Sequence, residues 1–421
     1  MTKHQLLRDR QALLNEIAAL QAENLRLRLG DSPESAIVPD SPEAEEAQAA
    51  KAGTFSRFPL LRAVDEAHID CTLPDTAEPK AVAAPQVAEH LRRYAAAHFG
   101  IYAGRALYAH FLGAMAASDF ILLRSESREQ SALLLCNAVA AALGREIDLT
   151  AVQPQWSRPA DLLGEPDPQT WRYNETRFLR TLYAAGWQEG VCFAALEGVT
   201  VTPPEGYLGT LLPVLSLRCA GEMRALTLAR GAWPGDPVLL REGVLPCPEN
   251  LWLFGALLPE HPRPSASLRA NAMEFCLPAL QGKSFLVSLT GPLDLPARQL
   301  RALFAQAQDA YALPEEPLRL ARLLEDYLAA HMELSLGAGT EALLRRFGSV
   351  CLACGLRAND ALDGFFYHKA LRRLESAGPL TLRNELPGLR RFLRDTFGRH
   401  ALPLTMGYLE TLEQQNSQIV S

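Results

Sequence analysis

The chain has 421 residues, enough for a large buried core and two or three domains, and its 48% hydrophobic and 21% charged residues are the composition of a soluble globular protein. A net charge of −7 argues against wholesale wrapping of nucleic acid. No apolar run reaches the roughly 18 residues of a membrane span, and the polar N-terminus lacks the apolar stretch of a signal peptide, which predicts a cytoplasmic protein with no membrane partner.

Residues 4–29 predict a short coiled coil. Leu6, Leu13, Leu20 and Leu27 recur every seven residues at d and put the polar Asn24 at a, the pattern of a parallel two-stranded zipper. Leu7, Leu14 and Leu25 widen the apolar face, so packing of one amphipathic helix on its own domain stays open beside self-association. Residues 30–53 read as a flexible acidic linker, rich in Pro, Ala and Ser and carrying Glu43, Glu45 and Glu46. Residues 54–118 form an extension that leads into the core, with helical patterns over 85–99 and 105–117.

The core is expected over 119–292 and opens on FILLRSESREQSALLLC, residues 120–136. An apolar strand, a polar loop and a helix beginning near Ser131 follow one another, and the loop has the length of G-x-x-x-x-G-K-[ST]. Arg124 and Glu129 stand at the glycine positions, Gln130 at the lysine position, and only the hydroxyl of Ser131 is retained. Glycines there let backbone N–H groups surround phosphates and the lysine supplies a point charge, so most of the phosphate-binding chemistry is missing. Arg124, Arg128 and the free start of the helix at Ser131 leave residual ATP or GTP binding without metal as an open expectation.

Further strands are expected over 147–152, 191–196 and 251–258, with a short hairpin strand over 225–229. Strands written as continuous apolar runs and separated by helices predict a buried, mostly parallel sheet. Residues 293–421 are nearly all helical, with amphipathic periods over 297–310, 318–334, 340–352, 362–376, 389–397 and 404–412.

Cysteines such as Cys136, Cys192 and Cys276 lie in apolar runs and read as buried reduced thiols. Cys351 and Cys354 supply two ligands where a structural zinc takes about four, so they read as helix-packing thiols and no metal is expected. Between His368 and His400, Lys369, Arg372, Arg373, Arg383, Arg390, Arg391, Arg394 and Arg399 outnumber Glu375, Glu385 and Asp395. That excess could meet a phosphate backbone or the acidic surface of a protein, and as a solvated helix face it needs neither.

Seven segments in order resemble AAA+ NTPases of the McrB type, the motor subunits of modification-dependent restriction systems. QPQWSRPADLLG is similar to the family's P-x-W-x-x-P-x-D-L-L-G motif, on Pro154, Trp156, Pro159, Asp161, Leu162, Leu163 and Gly164. RFLRTLYAA, GVCFAALEGVT, PEGYLGTLLPVLS, ENLWLFGALL, SLRANAMEF and ALDGFFYHKALRRLESAG resemble the segments that follow it, through to a C-terminal helical lid. The resemblance implies an α/β P-loop NTPase-like core with that lid. It places Glu197 at the magnesium-coordinating aspartate, Gly198 at the water-activating glutamate, Leu258 at the sensor asparagine and Arg269 at an arginine finger acting in trans. Glycine accepts no proton, so the base is absent. The leading expectation is therefore a pseudo-ATPase, a structural or regulatory subunit working beside other AAA+ or nuclease subunits, with no cofactor required. An active ATP or GTP hydrolase using Ser131, Glu197 and Arg269 is the first alternative. A nucleic-acid-binding adaptor using the basic C-terminal helices is the second.

Overall fold

The computed structural model describes residues 56–69, 82–127, 129–216, 224–280, 289–337, 339–398 and 400–420. The expected zipper over 4–29 and the linker over 30–53 lie outside these residues, as do Arg128 and Arg399. The chain divides into two compact units, one from Met1–Ala77, Trp156–Gln188 and Gly206–Glu249, the other from Glu78–Gln155, Glu189–Glu205 and Asn250–Ser421.

Five strands form the sheet of the larger unit: β1 (Phe120–Ser125), β2 (Ile147–Ala151), β3 (Cys192–Glu197), β4 (Leu251–Ala256) and β5 (Met273–Leu277). All pairings are parallel and the order is β2-β3-β4-β1-β5, a P-loop NTPase-like α/β arrangement. β4 (LWLFGA) and β5 (MEFCL) are buried along their whole length, as continuous apolar runs in a sheet covered on both faces must be. β2 (IDLTA) has no fully buried residue, which suits a sheet edge. β5 lies at the other edge and was not expected from the sequence. Its run is short, follows closely on a helix, and carries the charged Glu274 as its second residue, so it does not read as a strand on its own.

The helices from Ala297–Ala310 to Pro403–Val420 form the all-helical C-terminal region, consistent with a lid. They share the larger unit with the sheet and with the helices Ala84–Phe99 and Arg105–Ala117. Within this unit every residue of Arg105–Ala117 from Leu107 to Ala117 is buried. A helix apolar on all sides has to be enclosed. Two glycines permit the close approaches this requires. A Cβ at Gly113 would lie 3.0 Å from the Phe347 ring, and one at Gly364 would lie 2.5 Å from the His110 imidazole.

The stretch expected as one helix over 362–376 is broken into Ala358–His368 and a 3-10 turn, Ala370–Ser376. The last two periods are parts of longer helices, Pro379–Phe397 and Pro403–Val420. Cys351 and Cys354 are buried thiols at the end of Thr340–Ala353, as the sequence suggests.

The smaller unit contains helices Pro59–Ile69, Pro159–Leu163 and Arg177–Ala185, an antiparallel hairpin of Gly164–Asp167 with Arg172–Glu175, and a second pair of Ala225–Thr227 with Val244–Pro246. Asp65, 3% exposed, ties it together by accepting from the Tyr183 hydroxyl, Trp187 Nε1–H (3.0 Å) and the Val238 N–H (2.9 Å). The P-x-D-L-L-G segment is explained locally. Asp161 accepts from the N–H groups of Ser157 (2.7 Å) and Arg158 (2.8 Å) and so caps its own short helix, while Leu162 and Leu163 are buried. Gly164 has φ +88°, and a Cβ there would sit 2.1 Å from the Asn174 carbonyl oxygen, which leaves no room for a side chain.

Candidate functional site

At its C-terminal end β1 runs into residues 126–133, the loop that the sequence marks as a degraded phosphate cradle. Three serine hydroxyls shape it. Ser125 Oγ accepts from the Ser127 N–H (3.2 Å), Ser127 Oγ from the Glu129 N–H (3.3 Å), and Ser131 Oγ from the Leu133 N–H (3.2 Å). Serine commonly makes such turns with the amide two residues on. The Glu126 N–H continues the sheet ladder to the Leu277 carbonyl (2.9 Å), and those of Gln130 and Leu134 reach the Ser127 (3.4 Å) and Ser131 (3.1 Å) carbonyls. The amides of residues 126, 127, 129, 130, 133 and 134 are thus spoken for inside the chain. Because Ser131 turns back in this way, the helix begins at Leu134 rather than at Ser131.

A cavity of about 370 Å³ opens beside the loop at the ends of β1, β3 and β4. Its polar lining is Ser125, Ser127, Gln130, Ser131, Glu197 and Glu260, and no cation lines it among the described residues. Ser131, Gln130 and Glu197 therefore line one cavity. Leu258 is there too, with a side chain that has no polar atom. Gln130 uses its side-chain carbonyl to accept from the Leu280 N–H (3.4 Å). Gly198 has φ +69°, a conformation in which an L side chain is strained, so the backbone itself disfavours a carboxylate at this position. Two carboxylates thus face the space, and six amides of the adjoining loop already have acceptors within the chain.

Arg124 is not among the cavity residues. Its guanidinium turns to the 3-10 turn and pairs with Glu375, which sits at the centre of a second cluster. Arg269, in the helix Ala266–Asn271, donates from Nη2 to Glu375 (3.0 Å), from Nε to the Pro264 carbonyl (3.2 Å) and from Nη1 to the Arg372 carbonyl. It is 1% exposed, and its Nη1 also lies 3.6 Å from buried Glu274. Arg372 lies 3.8 Å from Glu375 and packs its guanidinium over the rings of Tyr408 (4.1 Å) and Tyr367 (4.6 Å). Burial opposes ionisation of Glu375, but the guanidiniums of Arg124, Arg269 and Arg372 outweigh it and hold the carboxyl below its ordinary range. Lys369 donates to the carbonyls of Arg269 and Ala272, and burial pushes its ammonium down to about 8.

The basic residues between His368 and His400 take up different environments. Lys369 and Arg372 are 3% exposed and serve the interior, because the 3-10 turn carries them inward. Arg373 is half-buried, and Arg390 is paired with Glu410 (2.7 Å) and Glu413 (2.6 Å). Arg383, Arg391 and Arg394 remain exposed along Pro379–Phe397. Trp156 packs edge-on against Tyr207, with ring centroids 5.5 Å apart. The sequence reading missed Glu375, counting it only as an offset to neighbouring cations. Its spacing of three from Arg372 was the available signal. The S-x-S pattern of Ser125 and Ser127 was the signal for the self-bonded loop.

No protein-family model matches the chain, and no curated protein is similar enough to count as a relative. Among solved structures, the chain is similar to a protein from Cytophaga hutchinsonii described as a candidate ATPase. The match has 10% identity and a TM-score of 0.44, and it covers 77% of this chain and 89% of that one.

Proposed function

We propose that this protein is a catalytically inactive AAA+-like subunit, a pseudo-ATPase that works through its contacts within a larger assembly. The observation that carries the reading is the loop after β1: the amides of Ser127, Glu129 and Leu133 are taken by its own serine hydroxyls and those of Glu126, Gln130 and Leu134 by backbone carbonyls, and the space in front of it is lined by Glu197 and Glu260 with no described cation. Removing one preorganised group from a site that stabilises developing charge costs about 3–4 kcal/mol of catalysis. Cradle, cation, base and sensor all differ here, so hydrolysis is not supported. The motif order noted above favours a McrB-like setting, with other AAA+ or nuclease subunits as partners and self-association through residues 4–29. A cytoplasmic, restriction or anti-phage role belongs to the same proposal.

Titration of the purified full chain with magnesium ATP and magnesium GTP tests it. The expected result is no saturable binding below millimolar concentration and no phosphate release. Turnover that disappears in Glu197→Ala overturns the proposal in favour of an active hydrolase. Deletion of residues 1–30 is expected to lower the mass of the particle in solution, and an unchanged mass removes the zipper from it. A second reading, contact with nucleic acid, rests on exposed Arg383, Arg391 and Arg394. Duplex binding at moderate salt that is lost in Arg391→Glu would favour it.

A further inference from the structure

The cluster around Glu375 is short of negative charge. Arg124, Arg269, Lys369 and Arg372 gather about two buried carboxylates, Glu274 and Glu375, with half-exposed Glu126 at the rim, 3.9 Å from Arg372. Both Oε1 and Oε2 of Glu375 are used, by Arg124 and Arg269 respectively, while Arg372 stands off at 3.8 Å. Nη2 of Arg372 is buried and has no hydrogen-bond partner among the described residues. A carboxylate has two oxygens and one charge to offer three forked donors. Planar guanidiniums converging in this way match a tetrahedral oxyanion at least as well.

We infer that Glu375 is an internal stand-in for a bound oxyanion, fixing the 370–376 turn to the end of β1 and to the helix Ala266–Asn271, and that the three guanidiniums around it form a latent phosphate site. The residues that would greet an anion from solvent are instead satisfied from within, so the turn stays docked whatever ligands are present. The Arg124 side chain, 22% exposed, leaves the cluster open to solvent on one side, which gives a small anion its way in once the carboxylate is removed. The cluster is distinct from the serine-lined cavity, and the inference stands or falls separately from the absence of nucleotide hydrolysis.

The experiment is thermal unfolding of full-length wild type, Glu375→Ala and Glu375→Gln in inorganic phosphate and in chloride at matched ionic strength. In chloride, Glu375→Ala is expected to unfold roughly 5 °C or more below wild type, because like charges are left facing one another. Phosphate raises the melting temperature of Glu375→Ala several degrees more than that of wild type, saturably, and the excess vanishes when Arg269→Ala is added. Equal phosphate responses in wild type and Glu375→Ala overturn the inference. If Glu375→Ala does not fold in chloride, folding restored by phosphate supports it. Failure in both buffers, with Glu375→Gln as stable as wild type and indifferent to phosphate, overturns it.

Discussion

Replacing Arg269 by alanine separates an internal tie from a finger that reaches a neighbouring subunit. The side chain is 1% exposed and holds four groups: Glu375 at 3.0 Å, Glu274 at 3.6 Å, the Pro264 carbonyl at 3.2 Å and the Arg372 carbonyl. Glu375 keeps Arg124 and Arg372, so its share of the loss is partial. Glu274 is 2% exposed, neither of its carboxylate oxygens has a hydrogen bond among the described residues, and removal of Arg269 takes away the cation 3.6 Å from it. Breaking a buried pair from one side costs about 3–5 kcal/mol, and the cavity left by a large side chain adds to that. Arg269→Ala is therefore expected to destabilise the larger unit by about 4 kcal/mol. Adding Glu274→Gln should recover about 1–3 kcal/mol, because the orphaned charge goes with it. Urea unfolding followed by hydrogen exchange of the β4 and β5 peptides reads this unit separately from the other. Unchanged stability in Arg269→Ala, within about 1 kcal/mol, would refute the reasoning and return the residue to a role outside its own chain.

Acid should destabilise the larger unit well above the carboxylate range. Burial, aided by the nearby charges, pushes His368 well below its usual value, and burial pushes His110 down to about 4, so both are neutral when folded and charge only on unfolding. The unfolded chain then binds more protons below about pH 6.5, and stability falls as pH drops through that point towards 4, by at most about 2.7 kcal/mol per pH unit for the pair. The urea midpoint measured from pH 7 to 5 should decline less steeply in His368→Phe than in wild type; parallel declines would remove the histidines from the account. Gly364→Ala, with its Cβ placed 2.5 Å from the His110 ring, should cost about 1–3 kcal/mol. His110→Ala should relieve part of that cost in a double-mutant cycle, whereas simple additivity would show that the helices separate freely. In the smaller unit, Asp65→Ala leaves the Tyr183 hydroxyl, Trp187 Nε1 and the Val238 amide without their shared acceptor and should lower stability by about 2–4 kcal/mol, read from the exchange of peptide 177–187.

The regular elements were legible because their periodicity is strong. The helix over 105–117 and the strand starting at Phe120 fall where the apolar runs put them, and β3 and β4 differ by a residue or two at their ends. What could not be read depends on long-range pairing. β5 is a strand because β1 supplies its ladder, residue for residue from Ile121 with Met273 to Ser125 with Leu277. The hairpin Gly164–Asp167 with Arg172–Glu175 turns through Trp171 at φ +56°, a conformation that no local propensity of tryptophan announces. The site was half legible for the same reason. A one-dimensional reading locates Ser131, Gln130 and Glu197 in one place, yet it gives no sign that Arg124 faces Glu375, 251 residues away.

The two clusters of the larger unit complement one another in charge. Strand ends and an adjoining loop in a parallel sheet make a natural receptor for anions when amides and cations point outward. Here the amides of Ser127, Glu129 and Leu133 are folded back onto Ser125, Ser127 and Ser131, and Arg124, which occupies the first position of that loop motif, is drawn to Glu375. Carboxylates line the cavity while guanidiniums fill the cluster beneath the 3-10 turn. A single substitution such as Gln130→Lys would meet Glu197 and Glu260 without releasing any of the occupied amides, so its added charge would be quenched by neighbours before any phosphate arrived. On the proposed pseudo-ATPase reading, nucleotide binding requires changes in both clusters together, and Gln130→Lys alone is expected to leave magnesium ATP binding undetectable by calorimetry. Saturable binding by that single variant would show that the loop opens readily and that charge alone had been lacking.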